Sequence, residues 1–374
     1  MQALKLVPVI HYFDTVKEWV ETQPITENDL LVTNEWLYEP YIKPLGVNPS
    51  VIFQEKYGLG EPSDDMLDAI VRDAKGLKYD RIIALGGGTI LDICKVLALD
   101  VPEKAEDLFT GKVPPKKIKT LVAVPTTCGT GSEVTNVAIT ELKSLGIKKG
   151  IAVEETFADT AVLIPETMKG LPYKVFVTSS VDALIHAIES FLSPKASAFT
   201  EVFSREAIEL IMHGYKAIVD GGEEERFKYM KEFLIAANYA GIAFGNAGCA
   251  VVHALAYSIG GAYHVPHGEA NYQFFTAVMK RYAAKEPAGK IRQLTEILAS
   301  VLGVSVKDSD GVYEAFDTFL GKLIAKKPLR EYGMTEAQID EFTTSTVENQ
   351  QRLLANNYVA LSDEELRGIF AELY

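Results

Sequence analysis

No Cys-x-x-Cys pair occurs in this chain, and its three cysteines, Cys94, Cys128 and Cys249, are widely spaced. An odd, scattered set argues against a disulfide framework and for a reduced, intracellular setting. The opening residues, MQALKLVPVIHYFD, hold no signal-peptide apolar stretch, so a cytoplasmic location is expected. No apolar run reaches the roughly 20 residues needed to cross a bilayer. The nearest candidate, Gly248 to Tyr263, carries a histidine and several glycines and reads as a buried helix. Positive charge is also in deficit: 37 Lys and Arg against 51 Asp and Glu leave a formal net charge of -14. That balance argues against a nucleic-acid or anionic-membrane partner, though one local basic group can still bind an anionic small substrate. Low-complexity tracts and internal repeats are lacking as well.

What is present is a large core-forming fraction: 48% of the 374 residues are hydrophobic. At roughly 150 residues per domain, that length implies two domains. The first half alternates. LLVTN (30–34), SVIFQE (50–55), RIIALGG (81–87), TLVAVPTT (120–127) and TAVLIP (160–165) are short β-branched runs bounded by turn residues. Helical periods separate several of them; after Ser63, a candidate N-cap, Met66, Leu67, Ile70, Val71 and Ala74 share one face. Near-continuous apolar strands alternating with helices predict a parallel sheet covered on both faces. Residues 134–153 predict a hairpin inserted into that pattern. Beyond Gly170-Leu171-Pro172 strand signals almost vanish. Helical periods then run over 174–191, 198–219, 223–243, 247–259, 269–284 and on to the C-terminus. The expected organisation is therefore an α/β domain over 1–172 and an all-helical domain over 173–374.

Two loops look able to hold phosphate. Gly86-Gly87-Gly88 follows an apolar strand and opens a helix. Glycines there let a ligand approach the backbone, and a helix N-terminus offers free N–H groups and a positive dipole end. The spacing is not GxGxxG, and a plain tight turn with Thr89 and Asp92 as a capping box is the competing reading. The second loop, Pro125 to Glu133, also follows a strand and is dense in Thr, Ser and Gly; the competing reading is a polar loop braced by its own hydroxyls. Ligands of parallel sheets bind at the carboxyl ends of strands, so two such loops point to one nucleotide-binding crevice.

The helical half concentrates imidazoles. Asp182 and His186 are four apart, hence on one helical face. His253 lies in an apolar helix, and His264 and His267 sit in the loop that follows. One carboxylate and three imidazoles suit a divalent ion such as Fe²⁺ or Zn²⁺, with His264 able to take the place of His267. A satisfied core histidine is the competing reading for each member taken singly.

Four motifs occur together, in order: GGGTILDICK (86–95), PTTCGTGSE (125–133), DALIHAIE (182–189) and HALAYSIGGAYHVPHG (253–268). With them the chain resembles the iron-containing (group III) alcohol dehydrogenase family over essentially its whole length. The resemblance implies an N-terminal Rossmann-like domain, an all-helical C-terminal domain of dehydroquinate synthase-like architecture, and an active site in the cleft between them. By position it assigns Asp182, His186, His253 and His267 to the metal. It assigns Gly87, Gly88, Thr89 and Asp92 to the pyrophosphate loop, Thr126, Thr127 and Thr130 to the second cofactor loop, Lys149 to the cofactor, and Phe244 to the substrate pocket. The stretches FQEKYGLGEPSD (53–64), NYAGIAFGNAG (238–248), YHVPHGEANY (263–272) and KPLREYGM (327–334) are similar to family members that interconvert 4-hydroxybutyrate and succinate semialdehyde with NAD. The implied partners are thus a small alcohol or aldehyde bearing a carboxylate and a second copy of the chain, in a homodimer.

Two positions depart from the family pattern. Tyr257 stands where many relatives carry a histidine; a phenol with a pKa near 10 is no proton carrier at pH 7, but it can hold a substrate carboxylate. Asn34 stands where members specific for NAD often carry an aspartate; it can bond the ribose yet repels no 2′-phosphate. Arg352, in the QQRLL segment, is a further candidate for the carboxylate, and His264 for a proton path. The competing functions are a dehydrogenase for a diol or simple primary alcohol, a metal-dependent hydrolase or lyase, and a nucleotide sensor.

Overall fold

The structure, a computed structural model, describes residues 3–306 and 309–374, excluding the side chains of Ser309 and Asp310. It contains two compact units, Leu6–Leu171 and Pro172–Tyr374, the latter including the N-terminal stretch through Lys5.

The first unit has strands β1 (Val9–Tyr12), β2 (Asp29–Thr33), β3 (Ser50–Phe53), β4 (Arg81–Gly86), β5 (Thr120–Pro125), β6 (Val137–Leu142), β7 (Ile147–Ala152) and β8 (Thr160–Leu163). Its α-helices are α1 (Val16–Thr22), α2 (Glu35–Tyr41), α3 (Asp64–Ala74), α4 (Gly88–Leu97) and α5 (Glu106–Phe109). Six strands form one parallel sheet in the order β1-β8-β5-β4-β2-β3. Side chains alternate across a strand, so Leu30 and Val32 face one way and Leu31 the other, as do Ile82 and Ala84 against Ile83 and Leu85. Each set enters its own core, one built with Ile70 and Cys94, the other with Val16 and Trp19. Covering both faces removes any need for polar alternation, which is why these strands read as unbroken apolar runs.

The expected hairpin forms from β6 and β7, antiparallel, with Val137 opposite Ala152 and Leu142 opposite Ile147. Ser63 caps α3 by accepting from Met66 N–H at 3.3 Å. Strand β1 escaped the sequence reading because it is a four-residue edge strand with a half-exposed pattern. Two strand ends shift: Asn34 already stands at the N-cap position of α2, and Gln54–Tyr57 leaves β3 as a 3-10 turn.

In the second unit every regular described element is helical: α6 (Tyr173–Leu192), α7 (Ala198–Gly221), α8 (Met230–Ala247), α9 (Val251–Tyr263), α10 (His267–Lys285), α11 (Gly289–Leu302), α12 (Ser309–Gly321), α13 (Gln338–Asn349), α14 (Gln351–Leu354) and α15 (Asp363–Leu373), with short 3-10 turns. Residues 223–243 are not one helix. A 3-10 turn over Glu223–Lys228, opened by three successive glutamates, precedes α8. Helices α8 and α9 meet at a bend of 103°. Helix α6 is long and apolar enough to span a membrane by composition, but it is mostly buried inside this unit.

Candidate metal centre and phosphate cradle

In the helical unit, α6 carries Asp182 and His186 one turn apart, α9 carries His253, and α10 opens on His267. One ligand atom from each of these four lies within 4.8 Å of all the others. His253 Nε2 and His267 Nε2 each stand 3.7 Å from Asp182 Oδ1, and His186 Nδ1 stands 3.9 Å from Asp182 Oδ2. Donors bound to one ion at about 2.0–2.2 Å lie some 3–4 Å apart, so the cluster has the right dimension for a cation. Gly268 permits the approach of α10: a Cβ there would strike the Thr178 carbonyl oxygen at 2.2 Å.

The polar bonding inside the cluster leaves a place for a positive ion. His253 Nδ1 is 2.7 Å from Glu189 Oε2, which sets that nitrogen as the N–H donor and Nε2 as the lone-pair side. Nε2 is buried and has no hydrogen-bond partner. A lone pair aimed toward a carboxylate across 3.7 Å calls for a cation between them. The charge balance agrees. Burial alone raises the Asp182 pKa, but His186, His267 and His253 outweigh it and hold the carboxyl well below the usual range. Burial alone lowers the His253 pKa, but Glu189 and Asp182 outweigh it and push it up to about 9, so at pH 7 a positive charge is favoured at Nε2, carried by a proton where no metal binds. The residues present therefore fit a divalent metal held by three imidazoles and one carboxylate.

Two members of this site were not singled out from the sequence. Glu189, fully buried, accepts the N–H groups of Ala250 at 2.8 Å and Val252 at 2.7 Å as well as the His253 ring. It caps the first turn of α9 and orients a ligand at once. Asn271 donates to Asp182 Oδ1 at 2.7 Å and its amide lies 3.2 Å from His267 Nε2. The helical offsets i+3 from His186 and i+4 from His267 were the available signals. Cys249 lies beside Glu189 and His253, but burial pushes its thiol well above the usual range, which disfavours the thiolate a metal needs.

Of the substrate candidates, Phe244 stacks on His186 with ring centroids 4.1 Å apart, and His186 stacks on His253 at 4.7 Å. Tyr257 is half-buried, its ring 6.3 Å from that of His267. His264 is exposed and forms the left-handed C-cap of α9, while His267 and not His264 joins the cluster. Arg352 is exposed on α14.

In the α/β unit the strand order reverses between β2 and β4, because β3 lies on one side of β2 and β4 on the other. Ligands of doubly wound sheets bind at such a switch point. Asn34 follows β2 and the glycine turn follows β4, so the two straddle it. The competing reading, a Thr89–Asp92 capping box, does not form. Gly87 is the N-cap of α4 with no side-chain cap bond, and Thr89 donates instead to the Gly60 carbonyl at 3.0 Å. The first N–H groups of α4 thus keep their capacity for an anion. The second loop folds directly against this turn: Thr126 N–H donates to Gly86 O at 3.1 Å, and a Cβ on Gly88 would sit 2.9 Å from Thr130 Cγ2. A Cβ on Gly87 would touch the Thr127 methyl at 3.4 Å. This cradle of bare backbone and small hydroxyls fits a pyrophosphate. Lys149 is half-buried on β7, opposite Thr140.

Asp92 does a different task from the one expected of a cofactor contact. Its oxygens accept from Ser132 Oγ at 2.6 Å and Ile139 N–H at 3.0 Å. Lys95, fully buried, donates to the same Ser132 at 2.6 Å and to Val137 O at 2.7 Å. Together they pin the second loop to α4. Replacing Lys95 by methionine leaves the buried Asp92 carboxylate without its cation and is expected to cost about 3–5 kcal/mol at pH 7. Urea unfolding measures this, and a loss below about 1 kcal/mol would show that the loop is held otherwise. Burial pushes the Lys95 pKa down from 10.5 to about 8, with Asp92 and Glu133 opposing. Across that window the unfolded chain binds more protons than the folded one, so this lysine makes stability rise with pH, a rise that K95M should lack.

The chain matches two family models, "Iron-containing alcohol dehydrogenase" over residues 14–165 and "Fe-containing alcohol dehydrogenase family, C-terminal" over residues 176–374. It is 51% identical to 4-hydroxybutyrate dehydrogenase of Clostridium kluyveri over 374 residues, covering 100% of both chains. It is 32% identical to long-chain-alcohol dehydrogenase 1 of Geobacillus thermodenitrificans over 83% of this chain and 79% of that one. Among solved structures, sulfoacetaldehyde reductase from Bifidobacterium kashiwanohense, in complex with NAD⁺, superposes with a TM-score of 0.84 at 21% identity, covering 100% of this chain and 98% of that one; this likeness establishes the fold. With family models matching both units and half of all positions shared end to end with one member, the chain belongs to the iron-containing alcohol dehydrogenase family.

Proposed function

We propose that this enzyme interconverts 4-hydroxybutyrate and succinate semialdehyde, with NAD(H) on the glycine–threonine cradle and Fe²⁺ or Zn²⁺ held by Asp182, His186, His253 and His267. The observation that carries the chemistry is the buried His253 Nε2, unbonded and facing Asp182. The substrate rests on the full-length likeness to the clostridial 4-hydroxybutyrate dehydrogenase.

When bound, the metal supplies the Lewis acidity that favours loss of the alcohol proton, and NAD supplies the hydride acceptor. The chain's own part is positioning. Glu189 holds the His253 ring in one tautomer and Asn271 holds Asp182, so the donor set is organised before any ion arrives. Phe244, stacked on His186, gives the site an apolar wall that excludes water from an aldehyde. The N–H groups at the start of α4 would bind the pyrophosphate, while Asp92 and Lys95 hold the neighbouring loop in place.

Tyr257 and Arg352 are the groups we assign to the substrate carboxylate, and His264 to proton exchange with solvent. Tyr257→Phe should raise KM for 4-hydroxybutyrate about tenfold, the value of one hydrogen bond to a charged group, with little change in kcat. An unchanged KM would remove Tyr257 from the site. We further assign a cytoplasmic homodimer. The decisive experiment is NAD-linked oxidation of 4-hydroxybutyrate by metal-stripped protein reloaded separately with Fe²⁺ and Zn²⁺. Activity should vanish on stripping and return with at least one ion. Full activity in the stripped protein would refute the metal role, and preference for an uncharged alcohol would refute the substrate.

A further inference from the structure

Asn34 deprives the cofactor site of the carboxylate that would ordinarily discriminate between NAD and NADP at the end of β2, yet a carboxylate is present. Glu55, which follows β3, reaches back to the same place. Its Oε2 accepts from Asn34 Nδ2 at 2.9 Å, and its Oε1 accepts from Glu35 N–H at 2.7 Å. The pairing of β2 with β3, Thr33 opposite Phe53, makes this possible by ending both strands at one level. Asparagine is among the residues best suited to cap a helix, but Asn34, at the N-cap of α2, makes no cap bond and turns its amide to Gln54 and Glu55.

We propose that Glu55, held in place by Asn34 and the first N–H of α2, is the charge that selects NAD over NADP. This inference rests on the proposal that the cradle after β4 holds NAD. In parallel α/β folds an acidic group at the end of the strand beside the phosphate turn bonds the ribose hydroxyls and repels a 2′-phosphate. Here that strand is β2, and the acid arrives from its other neighbour. Each carboxylate oxygen keeps a lone pair after the bonds to Asn34 and Glu35, so Glu55 can still accept from a ribose hydroxyl. Among the described residues no cation pairs with it: Glu35 is also acidic, and Lys56 is drawn over the Phe53 ring with its ammonium 4.8 Å from the centroid. The division of labour is that Asn34 positions and Glu55 repels.

The test is calorimetric titration of the full-length, metal-loaded protein with NADH and NADPH separately, for the parent and Glu55→Gln. A like charge a few ångströms from a phosphate is worth at least about tenfold in affinity at low salt. Glu55→Gln should therefore shrink the NADH preference at least tenfold, by tightening NADPH and weakening NADH. Raising salt from about 0.05 M to 0.5 M should erode the parent's preference and leave the variant's nearly unmoved. An unchanged ratio of the two dissociation constants in Glu55→Gln, or a parent preference indifferent to salt, overturns the proposal. So does a lower melting temperature of cofactor-free Glu55→Gln with the ratio intact, since Glu55 would then be only a brace for α2. Gly88→Val separates the two levels. If it abolishes NADH binding while Glu55→Gln leaves the ratio alone, only this inference falls. If it binds NADH like the parent, the cradle reading falls and this inference with it.

Discussion

Asp182→Asn is expected to lower metal content below about a tenth of the parent's and turnover about a thousandfold or more, equivalent to some 4 kcal/mol of transition-state stabilisation. The amide keeps the shape of the carboxylate but not its charge. Asp182 lies within 3.7–3.9 Å of all three imidazoles, so its loss removes the one anion that faces every other donor in the cluster. Elemental analysis of the purified protein and steady-state kinetics with 4-hydroxybutyrate measure the two effects. NADH binding should change little, because the proposed cradle is built from Gly86–Gly88 and Thr126–Thr130. A variant that retains about one ion per chain would show that the metal is not held at this cluster.

The next largest effect is expected from Glu189→Ala. Three groups lose their acceptor together, the N–H of Ala250, the N–H of Val252 and the ring of His253. Each buried donor left unsatisfied costs about 1–3 kcal/mol, and removal of one partner of a buried charged pair costs about 3–5 kcal/mol. At roughly 2–4 °C per kcal/mol for a unit of this size, the melting temperature should fall by at least about 10 °C. Metal affinity should fall about 10–100-fold, the usual consequence of losing a group that orients a ligand. Glu189→Gln separates the two tasks. Its amide oxygen can still accept from the helix N-terminus, so much of the stability should return, whereas the uncharged group should leave metal affinity at least about tenfold low. Equal metal affinity in Glu189→Gln and the parent would sink the claim that this carboxylate tunes His253.

Much of the fold was legible because its signals are local. The apolar runs, the Ser63 cap and the hairpin over β6 and β7 each depend on residues within one or two turns of one another. The misses have the same explanation in reverse. Edge strand β1 is short and half-exposed, so no periodicity marks it. The competing reading of Thr89 as a cap for α4 fails because the Gly60 carbonyl, which no local pattern brings near, takes its hydroxyl. The run of glutamates over 223–225 belongs to a tight 3-10 turn that helical periodicity absorbs into α8.

The site was legible to a different depth at different residues. Residue type pointed to Asp182, His186 and His253 with either His264 or His267, and the motif resemblance chose His267. The fold supplies the physical reason, chain direction: His264 ends α9 in a left-handed cap, and His267 starts α10 against α6, where Gly268 lets the helices touch. Glu189 and Lys95 lay in plain view inside two motifs. Their partners are 64 residues away in one case and 37 in the other, and nothing in either segment says so. Asp92 lies on α4, the helix that the glycine turn opens, and its oxygens are taken by Ser132 and Ile139.

The sequence by itself determined the class of the fold, the family and the chemical types of the side chains in the candidate metal cluster, because periodicity and motif are properties of neighbours along the chain. The tertiary structure alone decided which carboxylate steadies His253, which amide steadies Asp182, and that Glu55 stands beside Asn34. Those outcomes depend on helix crossings and strand pairings between distant segments. A buried charge reveals its task only when the groups that share its desolvation are known.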